Sequence, residues 1–159
     1  MKALILALMI GVGFLAPAIA IAEDASWARL VDLTKHKGYN DVPFDHICKD
    51  FALPLHDGKC IVDQLPYTDL GITHSFNVYI DPAGTVHIMP SEHDYQLGYI
   101  YLTDLDGKLL KVLSGNKKGA GWTWSRVAID KRIEDRFKDE VDYWLKNEDR
   151  LSNEPDRKD

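Results

Sequence analysis

The stretch His74-Ser75-Phe76-Asn77-Val78-Tyr79-Ile80-Asp81-Pro82-Ala83-Gly84-Thr85-Val86-His87-Ile88-Met89 decides the fold. Phe76, Val78 and Ile80 occupy alternate positions and so share one face of an extended strand. Asp81-Pro82-Ala83-Gly84 reads as a turn, with proline preset at the second position and glycine free to take positive φ. Thr85 to Met89 returns as a second strand with Val86 and Ile88 facing inward.

Downstream, Gln96 to Thr103 and Lys108 to Ser114, joined by Asp104-Leu105-Asp106-Gly107, read as a second hairpin. Leu97 to Leu102 is apolar on both faces, which suits a central strand covered on both sides. Tyr99 and Tyr101 share a face with Leu97. They are core if a helix covers that face, and an aromatic interaction patch if none does. Ser125 is placed to cap a helix running to about Asn147, in which Ile129, Ile133, Phe137, Val141, Trp144 and Leu145 form an apolar stripe. Its other side is charged, with Glu134, Asp135, Lys138 and Asp139.

Upstream, Ser26 can cap a short helix that places Trp27, Leu30, Val31 and Thr34 on one side and ends at Gly38. From Tyr39 to Pro66 the pattern dissolves. Pro43, Pro54, Pro66, the Asp57-Gly58 turn signal and two cysteines predict a stapled irregular segment, with room for a short strand at Cys60 to Leu65. The expected fold is therefore α+β: a short N-terminal helix, a disulfide-stapled loop, a four-stranded antiparallel meander and a long C-terminal helix packed on the sheet. Residues 23–147 form the single domain of this reading, and 148–159 a polar, disordered tail.

The N-terminus sets the compartment. Met1 and Lys2 precede an apolar run to Phe14, Pro17 breaks it, and Ala20-Ile21-Ala22 is the small-x-small pattern cut by signal peptidase. Residues 1–22 are thus expected to be a signal peptide. Ala3 to Ala22 is long enough to cross about 30 Å of hydrocarbon, but Gly11, Gly13 and Pro17 argue against a stable span. No cysteine near the cut offers a lipoprotein anchor, and no later run is apolar enough for a membrane span. No asparagine is followed by the Ser or Thr of a glycosylation acceptor. The expected location is periplasmic or secreted. Without Lys2 the exported chain has 18 basic against 25 acidic residues, net −7, a balance that disfavours nucleic acid and anionic lipid.

Cys48 and Cys60 are the only cysteines. In an oxidising compartment such a pair reads as a disulfide, worth about 3 kcal/mol in the chain-entropy model. Two alternatives stand beside it. His46 and His56 lie close enough to suggest metal, but in no established zinc spacing, and a redox-active pair lacks C-x-x-C.

Other polar clusters are weighed in the same way. Ser91-Glu92-His93-Asp94 holds every residue type of a hydrolytic triad, yet consecutive residues cannot form the relay geometry. His74, His87 and His93 are weak candidates for a transition metal, with Glu92 or Asp94 as oxygen ligand. Asp104-x-Asp106-Gly107 opens like a calcium loop, but Leu105 and Lys108 break the pattern. Gly115-Asn116-Lys117-Lys118-Gly119-Ala120-Gly121-Trp122 lacks the Gly-Lys-Ser/Thr of a phosphate loop and reads as a flexible basic loop. There Lys117 and Lys118 are placed to meet an anionic group, and Trp122 to anchor an interface. Lys117, Lys118, Trp122, Tyr99 and Tyr101 are accordingly the candidate partner-binding residues.

The function expected is an exported, non-catalytic protein-binding module without a cofactor, whose partner is another exported or envelope protein. An inhibitor, an immunity-type protein or an accessory subunit of an envelope assembly fits. The alternative is a small envelope hydrolase, or a metal or ligand carrier, built on the His87/His93 region.

Overall fold

The computed structural model describes Trp27, Leu30 and residues 40–148. The leader expected over 1–22, most of the helix expected over 26–38 and the tail beyond Glu148 lie outside the described residues.

The chain is mostly β-sheet, which corrects the four-stranded α+β expectation. The elements run β1 (Asn40–Pro43), α1 (Asp45–Phe51), β2 (Ile61–Asp69), β3 (Ile72–Ile80), β4 (Val86–Ile88), β5 (Ser91–His93), β6 (Leu97–Thr103), β7 (Leu109–Lys118), β8 (Gly121–Val127) and α2 (Lys131–Lys146). All eight strands belong to one antiparallel sheet.

β4 and β5 fill a single position between β3 and β6. Pro90 has no N–H to give a ladder, so the strand breaks there. Asn77 Nδ2 bridges the break by donating to Met89 O at 2.7 Å and Ser91 Oγ at 3.2 Å.

The short strand expected at Cys60 to Leu65 is present as the first part of β2, and the other additional strands come from segments that looked irregular. β1 pairs with β2 only from Ile61 to Gln64, so among the described residues no strand pairs with the outer side of β2 at Pro66, where a missing donor is tolerated. Between them α1 replaces part of the expected loop. The stretch read as a basic loop followed by a helix start is instead the β7–β8 hairpin, paired from Val112↔Val127 to Lys118↔Gly121. Ser125 pairs with Ser114 in this ladder, and the helix cap is Asp130, whose carboxylate accepts from Ile133 N at 2.9 Å.

Register assigns the two faces. His74, Glu92, Tyr99, Ser114 and Ser125 form one cross-sheet row. The next row, Thr73, His93, Gly98, Gly115 and Trp124, therefore points to the opposite face. α2 lies on the first face. There Phe76, Val78 and Ile88 pack with Trp27, Leu30 and Trp144, and Tyr99, Tyr101 and Val112 pack with Ile133 and Phe137. Of the two readings of Tyr99 and Tyr101, the core one describes their position, since both are buried beneath the helix.

α1 covers part of the other face. Ile47, Cys48, Phe51 and Cys60 pack there with Val62, Tyr79, Met89, Ile100, Leu102 and Leu113. The Cys48–Cys60 disulfide is formed, with Cα atoms 6.3 Å apart. The Asp45 carboxylate accepts from Cys60 N, and Phe44 N donates to Cys60 O at 2.7 Å. From the sheet, Lys111 Nζ and Arg126 Nη2 each donate at 2.7 Å to carbonyls of α1, those of Phe51 and Asp50. No helix among the described residues is long and apolar enough to cross a membrane.

Candidate functional site

The part of the disulfide face beyond α1 carries a tryptophan pair. Gly98 on β6 and Gly115 on β7 lack side chains in the row that Trp124 ends, and the Trp124 ring lies over them. A Cβ at Gly115 would come within 2.5 Å of that ring, and one at Gly98 within 3.1 Å. Trp122 stacks on Trp124 at 5.3 Å between centroids with planes 20° apart, and His93 meets Trp122 edge-on at 5.4 Å. Both tryptophans remain half-buried.

Lys117 is the cross-strand partner of Trp122 and shares its face, while Lys118 pairs with Gly121 at the hairpin tip. Both lysines are exposed. From Gly107 to Ile129 the chain has five cationic residues, Lys108, Lys111, Lys117, Lys118 and Arg126, and no acidic one. In a chain of net charge −6 the β7–β8 hairpin is cationic, with Lys111, Lys117, Lys118 and Arg126 and no acidic residue. Of the candidate partner-binding residues, the structure brings Lys117, Lys118 and Trp122 together and puts Tyr99 and Tyr101 on the other face.

A second cluster lies between α2 and the sheet, at the rim of the helix-covered face. A cleft of about 320 Å³ is lined by Ile72, His74, Glu92, Arg136, Asp139, Glu140 and Tyr143. His74 Nδ1 and Glu140 Oε2 share a hydrogen bond at 2.5 Å, and the His74 ring stacks on Tyr143 at 3.6 Å. Glu140 is buried and also accepts from Trp144 Nε1 at 2.7 Å. Burial pushes the Glu140 carboxyl above the usual carboxylate range, with His74 opposing. Glu92 Oε1 accepts from Tyr101 Oη at 2.7 Å and from Arg136 Nε at 2.9 Å, and the Arg136 guanidinium lies 4.6 Å over the Tyr99 ring. Burial, together with the Glu92 carboxylate, pushes the Tyr101 phenol up.

The three candidate histidines do not meet. His74 faces α2, His93 lies on the opposite face against Trp122, and His87 is held at the β3–β4 turn by Asp81 at 3.0 Å. Asp81 also caps that turn, its Oδ1 accepting from Ala83 N and Thr85 N at 2.9 Å each. Among the described residues no group of three or more His, Cys, Asp or Glu side chains is placed to hold a metal ion. Ser91, Glu92 and His93 are β5, so their side chains alternate between faces.

Glu140 and Arg136 escaped the sequence reading. A signal was present: Ile133, Phe137, Glu140 and Trp144 recur at helical spacing, which puts a carboxylate on the apolar stripe. A charge at a core position calls for a partner. No protein-family model, curated protein or solved structure matches this chain.

Proposed function

We propose that the chain is an exported, non-catalytic binding module that engages another exported or envelope protein through the β7–β8 hairpin. The observation that carries this reading is the tryptophan pair seated over Gly98 and Gly115 beside Lys117 and Lys118. Tryptophans held rigid by glycine clearance yet half-exposed offer large contact area with little conformational entropy to lose, and Trp is enriched at binding hot spots. The leader-like N-terminus and the buried disulfide support export. An inhibitor, an immunity-type protein or an accessory subunit of an envelope assembly are the roles this geometry suits.

The test is capture of a partner from envelope extract with the full chain tagged at its C terminus, its disulfide formed. Combined Lys117→Ala, Lys118→Ala and Trp122→Ala should abolish recovery of a stoichiometric partner while the circular dichroism spectrum stays that of the parent. A folded variant that recovers the same partner in the same amount sinks the reading.

A second reading rests on His74. A ring oriented at Nδ1 by a buried carboxylate, with Nε2 making no hydrogen bond within the described residues, is the arrangement of a general base or a ligand donor. With Arg136 alongside, the cleft would take a small polar ligand bearing both donor and acceptor groups. Calorimetric titration with small polar ligands, heat being lost in His74→Phe and retained in Trp122→Ala, would move the function to this cleft.

A further inference from the structure

We infer that the outer edge of β8 is a docking strand, and that its occupant is an extended, acidic segment of the partner protein, added to the sheet as a further antiparallel or parallel strand. The inference rests on the β7–β8 hairpin being the binding surface, and it specifies how the partner sits there and what chemistry it brings.

The two ends of the sheet differ in how their edges are protected. β1 is four residues long, carries Asp41 and ends on Pro43. Asp41 lies directly opposite Asp63 on β2, and burial together with that neighbour raises the Asp63 carboxyl above its ordinary value. Short length, charge and proline are the features that keep an edge from pairing. β8 has seven residues, Gly121-Trp122-Thr123-Trp124-Ser125-Arg126-Val127, with no proline and no acidic residue. It pairs with β7 in unbroken register, and among the described residues no strand pairs with its outer side. In an antiparallel edge strand, alternate residues turn their N–H and C=O groups away from the neighbour, so β8 presents a row of donors and acceptors to an incoming backbone.

Side chains then select the occupant. Trp122, Trp124 and Arg126 stand on one face of the edge and Thr123 and Ser125 on the other. Lys117 and Lys118 extend the positive surface to the tip. An added strand places its own side chains in line with these rows. Acidic residues on the tryptophan side would pair with Lys117 and Arg126, and apolar ones would lie beside the indoles. The remainder of the chain is strongly acidic, so an acidic segment is drawn to this edge and repelled elsewhere.

The probe is a capped synthetic octapeptide of alternating valine and glutamate, with a valine–lysine octapeptide as its charge-reversed control. Binding is followed by amide hydrogen exchange and NMR shifts on the full chain. The expected result is saturable binding of the acidic peptide, with exchange slowed at every second amide from Gly121 to Val127. Affinity should fall about tenfold or more when Lys117 and Lys118 are both changed to Glu, and weaken with added salt, since exposed charges are screened. No binding of the acidic peptide, equal binding of the lysine control, or binding that leaves the alternate β8 amides unprotected would each overturn the inference. Binding to phosphatidylglycerol vesicles in place of the peptide would overturn it in favour of a lipid surface. The alanine variants in the capture experiment read the hairpin's role independently. Loss of the natural partner there, with β8 amides unchanged on binding, would leave the module standing and remove the docking strand.

Discussion

Trp144 and Trp124 lie on opposite faces of one sheet. Trp144 is fully buried in α2, its Nε1 donates to Glu140, and it packs edge-on against Phe76. Trp124 is half-buried, lies over two glycines, and carries a second tryptophan stacked on its exposed side. The helix-covered face spends its aromatic residues on closing a core. The disulfide face is covered by α1 over one part, while over the other, among the described residues, no helix lies on it and Trp122 and Trp124 stay half-buried. The same residue type thus stabilises the fold on one side and presents a surface on the other.

Truncation should separate the two most widely. Trp144→Ala removes a large buried ring and strands the Glu140 acceptor, and should cost about 3–5 kcal/mol, read as a lower denaturant midpoint. Trp122→Ala, at the outer position of the stack, should cost no more than about 1 kcal/mol. Equal losses for the two would mean that the tryptophan platform is core after all.

Gly115→Ala probes how the platform is seated. The added methyl would meet three atoms of the Trp124 ring at 2.5 to 2.8 Å, with β7 backbone beneath it. The ring must tilt away, carrying Trp122 with it, at a cost of about 1–3 kcal/mol. Combining Gly115→Ala with Trp124→Ala should recover much of that loss, because the clash disappears with the ring. Additive losses would show that Gly115 matters for the backbone and not for the indole.

The hairpin at 74–89 and the Asp57-Gly58 turn were legible, since alternation and turn chemistry are local. Asp57 and Gly58 both take positive φ between the bridged His56 and Lys59. The β7–β8 hairpin was hidden because glycines and lysines at its tip mimic a loop, and because Ser125 and the apolar residues after it fit a helix pattern. Pairing with β7 overrides that local preference. The strand expected at Cys60 to Leu65 is the first part of β2, while its continuation past Pro66 and all of β1, which ends on Pro43, were masked by those prolines. Of the candidate site, Lys117, Lys118 and Trp122 were readable as types. Their union with Trp124 and His93 depends on Gly98 and Gly115, two residues whose part is to be absent, and no spacing rule announces it. A similar exposed residue stands at the β2–β3 tip, where Leu70 takes a left-handed φ of 49° beside Gly71. Nothing in the local sequence favours leucine there.

The smallest expected effect compares the two histidine–carboxylate pairs, one on each face. Asp81 is held below its ordinary pKa, first by His87 and then by backbone donors at Thr85 and Ala83, which outweigh its burial. Glu140 is raised, because burial outweighs His74 and Trp144. Their linkages to folding have opposite sign. Asp81 contributes stability that is present above its unfolded value of about 3.9 and is lost as pH falls through the depressed folded value. Glu140 contributes stability that is present below its unfolded value of about 4.3 and is lost as pH rises through the raised folded value. Glu140→Gln keeps the shape and an acceptor for Trp144 Nε1 but cannot ionise. The Asp81 contribution is common to both proteins and cancels from their difference. The melting temperature of Glu140→Gln relative to the parent should therefore climb as pH rises from about 4.3 through the raised Glu140 value, then level off. A difference that stays flat over that range would place the Glu140 proton balance in the folded protein where it is in the unfolded chain.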